Sequence, residues 1–321
     1  MDIISKLKEN PNQKTKEKLE KSQYRMVGNH SAIKICYWAK KSLRNKGICY
    51  KEKFYGIPSH RCCQMTPCLI CPNRCQFCWR NTDIFTEIKL TNPIDNPKEM
   101  VDNAIKMQKA LISGFPGNKN INAVKFKEAQ NPKSFAISLS GEPTLYPKLD
   151  ELLKELEKRK IFSFLVTNGL FPEALKNLKT FPTQLYVSLD APNEKLYELV
   201  DRSTMKDAWE RFNQTLELLA KLKTRTVIRI TAVKNLNMTD EEGYSNLIKK
   251  ANPTFVEVKG YAWLGGSRKI LKEENVPSHE EVKLFAQKIA LLASLKIIDE
   301  KEESSVVLLA KSDFPERKLI A

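Results

Sequence analysis

Three cysteines lie close together in Cys71-Pro72-Asn73-Arg74-Cys75-Gln76-Phe77-Cys78, spaced Cys-x3-Cys-x2-Cys. Thiolates are the usual ligands of iron–sulfur clusters, and one short loop can wrap three of them around three irons of a [4Fe–4S] cube. The fourth iron then has no protein ligand nearby and is free to chelate a small molecule. Zinc is the competing reading. Structural zinc takes cysteine pairs about two to four residues apart, and Cys68-x2-Cys71 with Cys75-x2-Cys78 would serve as an all-thiolate knot. A disulfide framework fits less well, because crowded cysteines in a long chain without an export signal point to metal or catalysis.

A second set lies upstream. Cys36, Cys49 and Cys62 are separated by twelve residues each time, in a stretch (25–64) with neither clean helical nor clean strand periodicity. Irregular, cysteine-rich backbone is often held by a metal rather than by a hydrophobic core. The plainer alternative is buried free thiols acting as small hydrophobes. Residues 1–24 are polar and Lys-rich, with a breaker at Asn10-Pro11-Asn12 and a short helix expected from Thr15 to Gln23. They read as a mobile or loosely docked arm.

The rest of the chain must position these thiols. Short apolar runs at Met65–Ile70, Phe135–Leu139, Ser163–Thr167, Gln184–Leu189, Val227–Ala232 and Phe255–Lys259 read as strands. Between and after them lie helical stripes: Leu149, Leu152, Leu153 and Leu156; Trp209, Phe212, Leu216 and Leu219; Val282, Phe285, Ile289 and Leu292. Further helices are expected at Pro97–Ser113, Glu173–Leu178 and Asp240–Lys250, and a terminal hairpin at Ile297–Glu300 and Ser305–Lys311. Alternating strands and helices imply an α/β fold with a parallel sheet. Six repeats are too few for the eight-stranded closed barrel, so an open six-stranded partial barrel is expected. The division is an N-terminal extension over 1–64 and a barrel domain over 65–321.

With 54 Lys+Arg against 38 Asp+Glu, the net charge is +16. Such a field attracts polyanions, including nucleic acid; a solvated Lys-rich surface is the bland alternative. No apolar run approaches the ~18 residues of a membrane span, and the first residues lack the apolar core of a signal peptide. Eight cysteines without an export signal imply a reducing cytoplasm, with no membrane partner.

Ligands in parallel α/β folds bind at the carboxyl ends of the strands, and here those ends are chemically rich. The cysteine loop follows the first run, and Ser140-Gly141-Glu142-Pro143-Thr144 the second. Thr167-Asn168-Gly169 follows the third, and Ser188-Leu189-Asp190-Ala191-Pro192 the fourth; Arg229 lies within the fifth, and Lys259-Gly260-Tyr261 ends the sixth. Glycine permits close backbone approach, and a carboxylate there can meet an ammonium. Any one such cluster is weak, because turns are polar for ordinary reasons.

Together these residues resemble the radical S-adenosylmethionine (SAM) superfamily, with Ser140-Gly141-Glu142-Pro143 similar to its Gly-Gly-Glu-Pro motif apart from the first residue. Within it, the chain resembles the tRNA 4-demethylwyosine synthases of wybutosine biosynthesis. That likeness rests on Ser59-His60-Arg61-Cys62, Gln64-Met65-Thr66-Pro67, Cys75-Gln76-Phe77-Cys78-Trp79-Arg80, Ser140-Gly141-Glu142-Pro143-Thr144, Thr167-Asn168-Gly169 and Ser188-Leu189-Asp190-Ala191-Pro192. It extends from about Tyr24 onward.

The resemblance implies a radical SAM partial (βα)6 TIM-like barrel with an irregular cysteine-rich N-terminal extension. It also implies two [4Fe–4S] clusters, one on Cys71, Cys75 and Cys78 and one on Cys36, Cys49 and Cys62. SAM would chelate the open iron of the first, with Ser140, Gly141, Glu142, Pro143, Thr167, Asn168, Ser188, Asp190 and Arg229 around it. The family condenses a two-carbon fragment of pyruvate with 1-methylguanosine, just 3′ of the anticodon of phenylalanine tRNA, a carbon–carbon lyase/synthase reaction. Lys51 matches the lysine proposed to form an imine with pyruvate, with Lys53 a nearby rival; amines attack ketones once they are made neutral. A monomer served by a separate electron-donor protein is expected. Trp79, Tyr261 and Trp263 are candidates to stack on the substrate base. A glycyl-radical activase and a zinc-held basic nucleic-acid-binding module are the competing readings.

Overall fold

The computed structural model describes residues 13–80, 90 and 93–320; the Asn10-Pro11-Asn12 breaker lies outside the described residues. One sheet runs through the molecule. Its strands in chain order are β1 (Arg25–Met26), β2 (Ala32–Lys34), β3 (Cys62–Thr66), β4 (Ser134–Ile137), β5 (Phe162–Thr167), β6 (Gln184–Ser188), β7 (Arg225–Ala232), β8 (Phe255–Gly260), β9 (Lys296–Lys301) and β10 (Val306–Ala310). Spatial order follows chain order except that β10 lies against β8, with β9 at the edge. From β3 to β8 every neighbouring pair is parallel, giving the six-stranded parallel run expected of the partial barrel. The first two strands and the last two add antiparallel pairs at either side.

The first parallel strand is displaced from its expected place over Met65–Ile70. It begins at Cys62 and stops at Thr66 because Pro67 has no backbone N–H to donate. The Thr66 hydroxyl then turns the chain by bonding the Cys68 carbonyl at 2.7 Å. The cysteine-rich stretch also holds more regular structure than its sequence suggests, with β1, β2 and helices at Tyr37–Leu43 and Tyr50–Tyr55.

Alternation along the strands gives the sheet two apolar faces. The outer face packs against helices. Leu149, Leu152, Leu153 and Leu156 of helix Leu149–Lys158 are all buried against Phe135, Ile137 and Leu165. Helix His279–Ala293 covers Val256, Val258 and Val307 with Val282, Phe285 and Ile289. Its start is fixed by a reciprocal cap in which Ser278 and Glu281 bond each other's backbone. Losing a fully buried leucine such as Leu152 would cost about 2–5 kcal/mol.

The inner, concave face is filled by the short helix Tyr50–Tyr55. Tyr50, Phe54 and Tyr55 pack on Phe164, Tyr186, Val227 and Phe255. This helix ends at Gly56, whose φ of +74° and approach to the Ile320 carbonyl (2.2 Å from where a Cβ would lie) leave room only for glycine. The helix carries Lys51 and is preceded by Cys49, so the plug in the barrel also delivers chemistry.

Candidate active site

The loop 71–78 leaves β3 and is pinned on both sides. Glu142 N–H donates to the Ile70 carbonyl at 2.7 Å, Arg74 N–H to Asp201 O at 3.0 Å and Gln76 N–H to Val200 O at 2.9 Å. The three thiols thus sit between the exit of β4 and the end of helix Glu194–Asp201. Asn168 Nδ2 approaches Cys71 Sγ at 3.7 Å and Arg80 Nε approaches Cys78 Sγ at 3.2 Å, while the Cys75 thiol donates to Asp201 Oδ1 at 3.3 Å. Burial pushes the Cys71 thiol up, opposed by the Arg80 guanidinium. Burial, with Asp201 beside it, pushes Cys75 up strongly. Thiols in this condition ionise when a cationic metal group displaces the proton.

Three thiols with two N–H donors aimed at sulfur make a suitable donor set for a thiolate-held cluster. Among the described residues, no three or more His, Cys, Asp or Glu are gathered tightly enough to hold a metal ion as they stand; a cube spreads its thiolates wider than one ion does. Cys68 is not part of the set. It lies in an apolar cluster with Cys63, Met65 and Ile137, so the four-thiol zinc knot is not assembled.

Beside the loop, Gly141 has a φ of +71°, and a Cβ there would fall 1.9 Å from the Cys68 carbonyl oxygen. Only glycine lets the β4 exit come this close. Glu142, buried, accepts from Thr144 Oγ1 and Thr167 Oγ1, both at 2.6 Å, and from Asn168 N–H at 2.8 Å. Burial still raises its carboxyl above the usual range, so a cationic partner would be favoured. Pro143 opens the turn Pro143–Leu145 that carries Thr144, and the Ser140 carbonyl is held by Thr66. Ser188 ends β6, and Asp190 just beyond it accepts from Thr231 N–H at 2.8 Å. Burial pushes the Asp190 carboxyl up to about 7.

The upstream cysteines converge although they come from three elements. Cys36 and Cys49 occupy the N-cap positions of helices Tyr37–Leu43 and Tyr50–Tyr55 without making a side-chain cap bond, and Cys62 opens β3. All three line one pocket with Lys51, Ser59, Ser134 and Phe164. Alternation decides between adjacent thiols: Cys62 faces this pocket, whereas Cys63 faces the outer core. Lys51 is 9% exposed, its ammonium 4.8 Å from the Phe164 ring centre and 4.9 Å from that of Tyr186. Lys53, by contrast, points outward to an ion pair with Asp299 at 3.2 Å.

Arg229 lies on the concave face, opposite Ser188 in the strand register. It pairs with the fully buried Glu257 at 2.7 Å, bonds Tyr50 Oη and stacks over the Tyr186 ring that Lys51 also meets. Glu257 also accepts from Tyr55 Oη at 2.7 Å and Tyr186 Oη at 3.2 Å. Sequence reasoning passed over Glu257, although a lone acid inside Phe255-Val256-Glu257-Val258 is a visible anomaly. It also passed over Asp201, for which the sequence carries no signal. Of the candidate stacking aromatics, Tyr261 is buried with its hydroxyl on Ser267, and Trp263 donates to the Leu271 carbonyl. Trp79 stacks on Tyr24 and stays partly exposed. No helix among the described residues is long and apolar enough to cross a membrane.

Comparison with known proteins places this geometry. Residues 65–247 match the model of the radical SAM superfamily, and residues 250–311 match that of wyosine base formation. The SAM-dependent tRNA 4-demethylwyosine synthase of Pyrococcus horikoshii is 46% identical over 311 residues, covering 95% of this chain and 91% of that protein. The human TYW1 synthase is 40% identical over 309 residues, 93% of this chain but 41% of its own length. A solved structure of TYW1 with a lysine–pyruvate adduct bound superimposes with a TM-score of 0.86 at 37% identity, covering 95% of this chain and 98% of that one. One of archaeal TYW1 gives 0.76 at 34%, with coverages of 93% and 96%. The chain therefore belongs to the SAM-dependent tRNA 4-demethylwyosine synthases, radical SAM enzymes that modify tRNA.

Proposed function

We propose that this enzyme condenses pyruvate with 1-methylguanosine, just 3′ of the anticodon of phenylalanine tRNA, to form 4-demethylwyosine. The observation that carries this reading is the convergence of Lys51 with Cys36, Cys49 and Cys62 in one pocket on the concave face of the barrel. The solved relative with a lysine–pyruvate adduct supports a lysine in that role.

Cys71, Cys75 and Cys78 would hold one [4Fe–4S] cluster and Cys36, Cys49 and Cys62 a second. When bound, the first supplies the electron that cleaves SAM and so the means of taking hydrogen from the guanine methyl group. The chain's own residues do the rest. Glu142, held by Thr144, Thr167 and Asn168, would hold the SAM amino group, while Gly141 would let the backbone come close; Ser188 and Asp190 line the neighbouring strand exit. The Lys51 amine, once it has given up its proton, adds to the pyruvate ketone and water leaves, giving an imine with the ketone carbon in a fixed orientation. Fixing it matters because an unguided radical reacts with whatever lies nearest. Aromatic walls from Phe164 and Tyr186 exclude water from that amine.

The +16 charge favours tRNA phosphates, and the target base must leave its stack to reach the lumen. Electrons come from a separate donor protein, and the enzyme works as a monomer in the cytoplasm. Anaerobic turnover of the reconstituted enzyme with SAM, pyruvate and 1-methylguanosine-containing tRNA tests the reading. It predicts 4-demethylwyosine in the digested tRNA and borohydride-trapped pyruvate on the peptide bearing Lys51. Absence of the tricyclic base while deoxyadenosine forms normally would contradict it.

A further inference from the structure

Lys51 and Cys49 reach their pocket on a helix of only six residues, Tyr50–Tyr55, and its N-cap. A helix this short is unstable by itself, and its last four carbonyls lack partners within it. Gly56 N–H takes the carbonyl of Glu52 at 3.0 Å. The other three are met from far along the chain, by three consecutive residues. The Lys318 ammonium donates to the Lys53 carbonyl, Arg317 Nη1 to that of Phe54 at 3.0 Å and Leu319 N–H to that of Tyr55 at 2.8 Å. The segment 314–320 is itself anchored on the barrel. Phe314 stacks on Phe255 of β8 with ring centres 5.7 Å apart, and Arg225 of β7 donates to the Glu316 and Arg317 carbonyls at 2.9 and 3.0 Å. Arg317 is buried and pairs with Asp299 of β9 at 3.0 Å and with Asp313 at 2.8 Å. The loop 71–78 is pinned elsewhere, through Val200, Asp201 and Thr204.

We propose that residues 314–320 are a strap that holds Lys51 in place for the 2-oxo acid, with Arg317 as its positioning residue. The inference rests on the assignment of Lys51 above. Three bonds at the end of the helix fix both its depth in the barrel and its rotation. Lys51 lies within one turn of those carbonyls, so a shift at that end is carried to its amine. In a reaction governed by orientation, a displacement of about 1 Å costs up to about a hundredfold in rate. The strap therefore serves the second site and leaves the SAM site to its own supports.

The test uses the full-length, anaerobically reconstituted enzyme and measures two rates. One is borohydride trapping of labelled pyruvate on the peptide bearing Lys51; the other is deoxyadenosine formation from SAM. Arg317→Met keeps the stem and removes the donors, and should slow trapping roughly ten- to a hundredfold with deoxyadenosine formation unchanged. Arg317→Lys, which returns one charged donor, should recover part of the loss. Lys318→Met removes only an exposed ammonium and should slow trapping roughly two- to tenfold, the range of one hydrogen bond. Leu152→Ala, which weakens the outer core instead, should trap at the wild-type level in folded protein. Wild-type trapping in Arg317→Met would overturn the proposal. So would an equal fall in both rates, or a loss in Leu152→Ala matching that in Arg317→Met, since either would reduce the strap to general stability. Should Arg317→Met fail to fold by circular dichroism, Lys318→Met decides alone on the same two rates. If wild-type enzyme shows no adduct on Lys51, the Lys51 assignment fails by itself. Amide hydrogen exchange then decides for the strap: in Lys318→Met, faster exchange in the peptide spanning 49–56 but not in that spanning 71–80 sustains it. Unchanged exchange in both removes it.

Discussion

Cys71, Cys75 and Cys78 come from one loop of eight residues, while Cys36, Cys49 and Cys62 come from two helix N-caps and the first residue of a strand. The first set is local: its geometry needs a turn and a few backbone bonds from Glu142, Arg74 and Gln76. The second is made by the fold, since it exists only once helix Tyr50–Tyr55 has entered the barrel and β3 has paired with β4. Their surroundings differ as well. The loop thiols face polar groups, Asn168 just after β5, Asp201 at the end of a helix and Arg80 two residues past Cys78, whereas the second set shares an aromatic-walled pocket with Lys51.

The largest effect separating the two sets should come from Cys71→Ala. Deoxyadenosine formation from SAM should fall to background, on the order of a thousandfold or more, because the remaining two thiols cannot present an open iron. Normal SAM cleavage by this variant would erase the distinction. Cys49→Ala should show the converse pattern, with about four irons retained, slow SAM cleavage still measurable and no 4-demethylwyosine in the tRNA digest. Product formation at the wild-type rate would reduce Cys49 to a packing thiol.

A smaller effect tests whether the N-terminal strands serve as a frame for both sets. Asp95 receives Ser31 Oγ at 2.7 Å, Asn29 N–H at 2.6 Å and His30 N–H at 3.2 Å, tying the β1–β2 turn down ahead of helix Pro97–Ile112. Burial alone would raise this carboxyl, yet Ser31, Asn29 and the charge of His30 hold it below its ordinary value. A carboxylate depressed in the fold adds stability above its unfolded value, and that contribution is lost as pH falls toward the folded one. Thermal melts of Asp95→Asn should lose about 1–3 kcal/mol at neutral pH, a gap that begins to narrow as pH falls below about 4 and closes below the lower folded value. Iron content should be unchanged in both proteins; iron loss in the variant would make Asp95 part of a cluster site.

The contrast between the thiol sets also decides what the sequence could reveal. The loop was legible because its spacing alone carries the chemistry, and the parallel strands were legible because each is a short apolar run with polar residues after it. The polar exits at Glu142, Thr167 and Asn168 fall together as their strand-end positions imply. The segment 25–64 resisted for a physical reason. Helix Tyr37–Leu43 offers a short apolar face of Ala39 and Leu43, with Tyr37 largely exposed and Lys40 and Lys41 in its last turn. Helix Tyr50–Tyr55 is too short for periodicity to speak, and its aromatics face a barrel interior that only tertiary structure creates. The expected end of β3 runs too far because Leu69-Ile70 continue the apolar run past Pro67 into the turn. The Arg229–Glu257 pair likewise joins two strands whose register no local pattern discloses.

Strand alternation offers the most direct test of the claim that two separate thiol sets exist. Cys62 and Cys63 are adjacent, yet one faces the pocket of Cys36, Cys49 and Lys51 and the other the outer core. Iron and sulfide should be counted in anaerobically reconstituted Cys62→Ala and Cys63→Ala. The account predicts that Cys62→Ala loses about half of its iron while Cys63→Ala retains all of it. Full iron in Cys62→Ala, or a half-loss in Cys63→Ala, would contradict it.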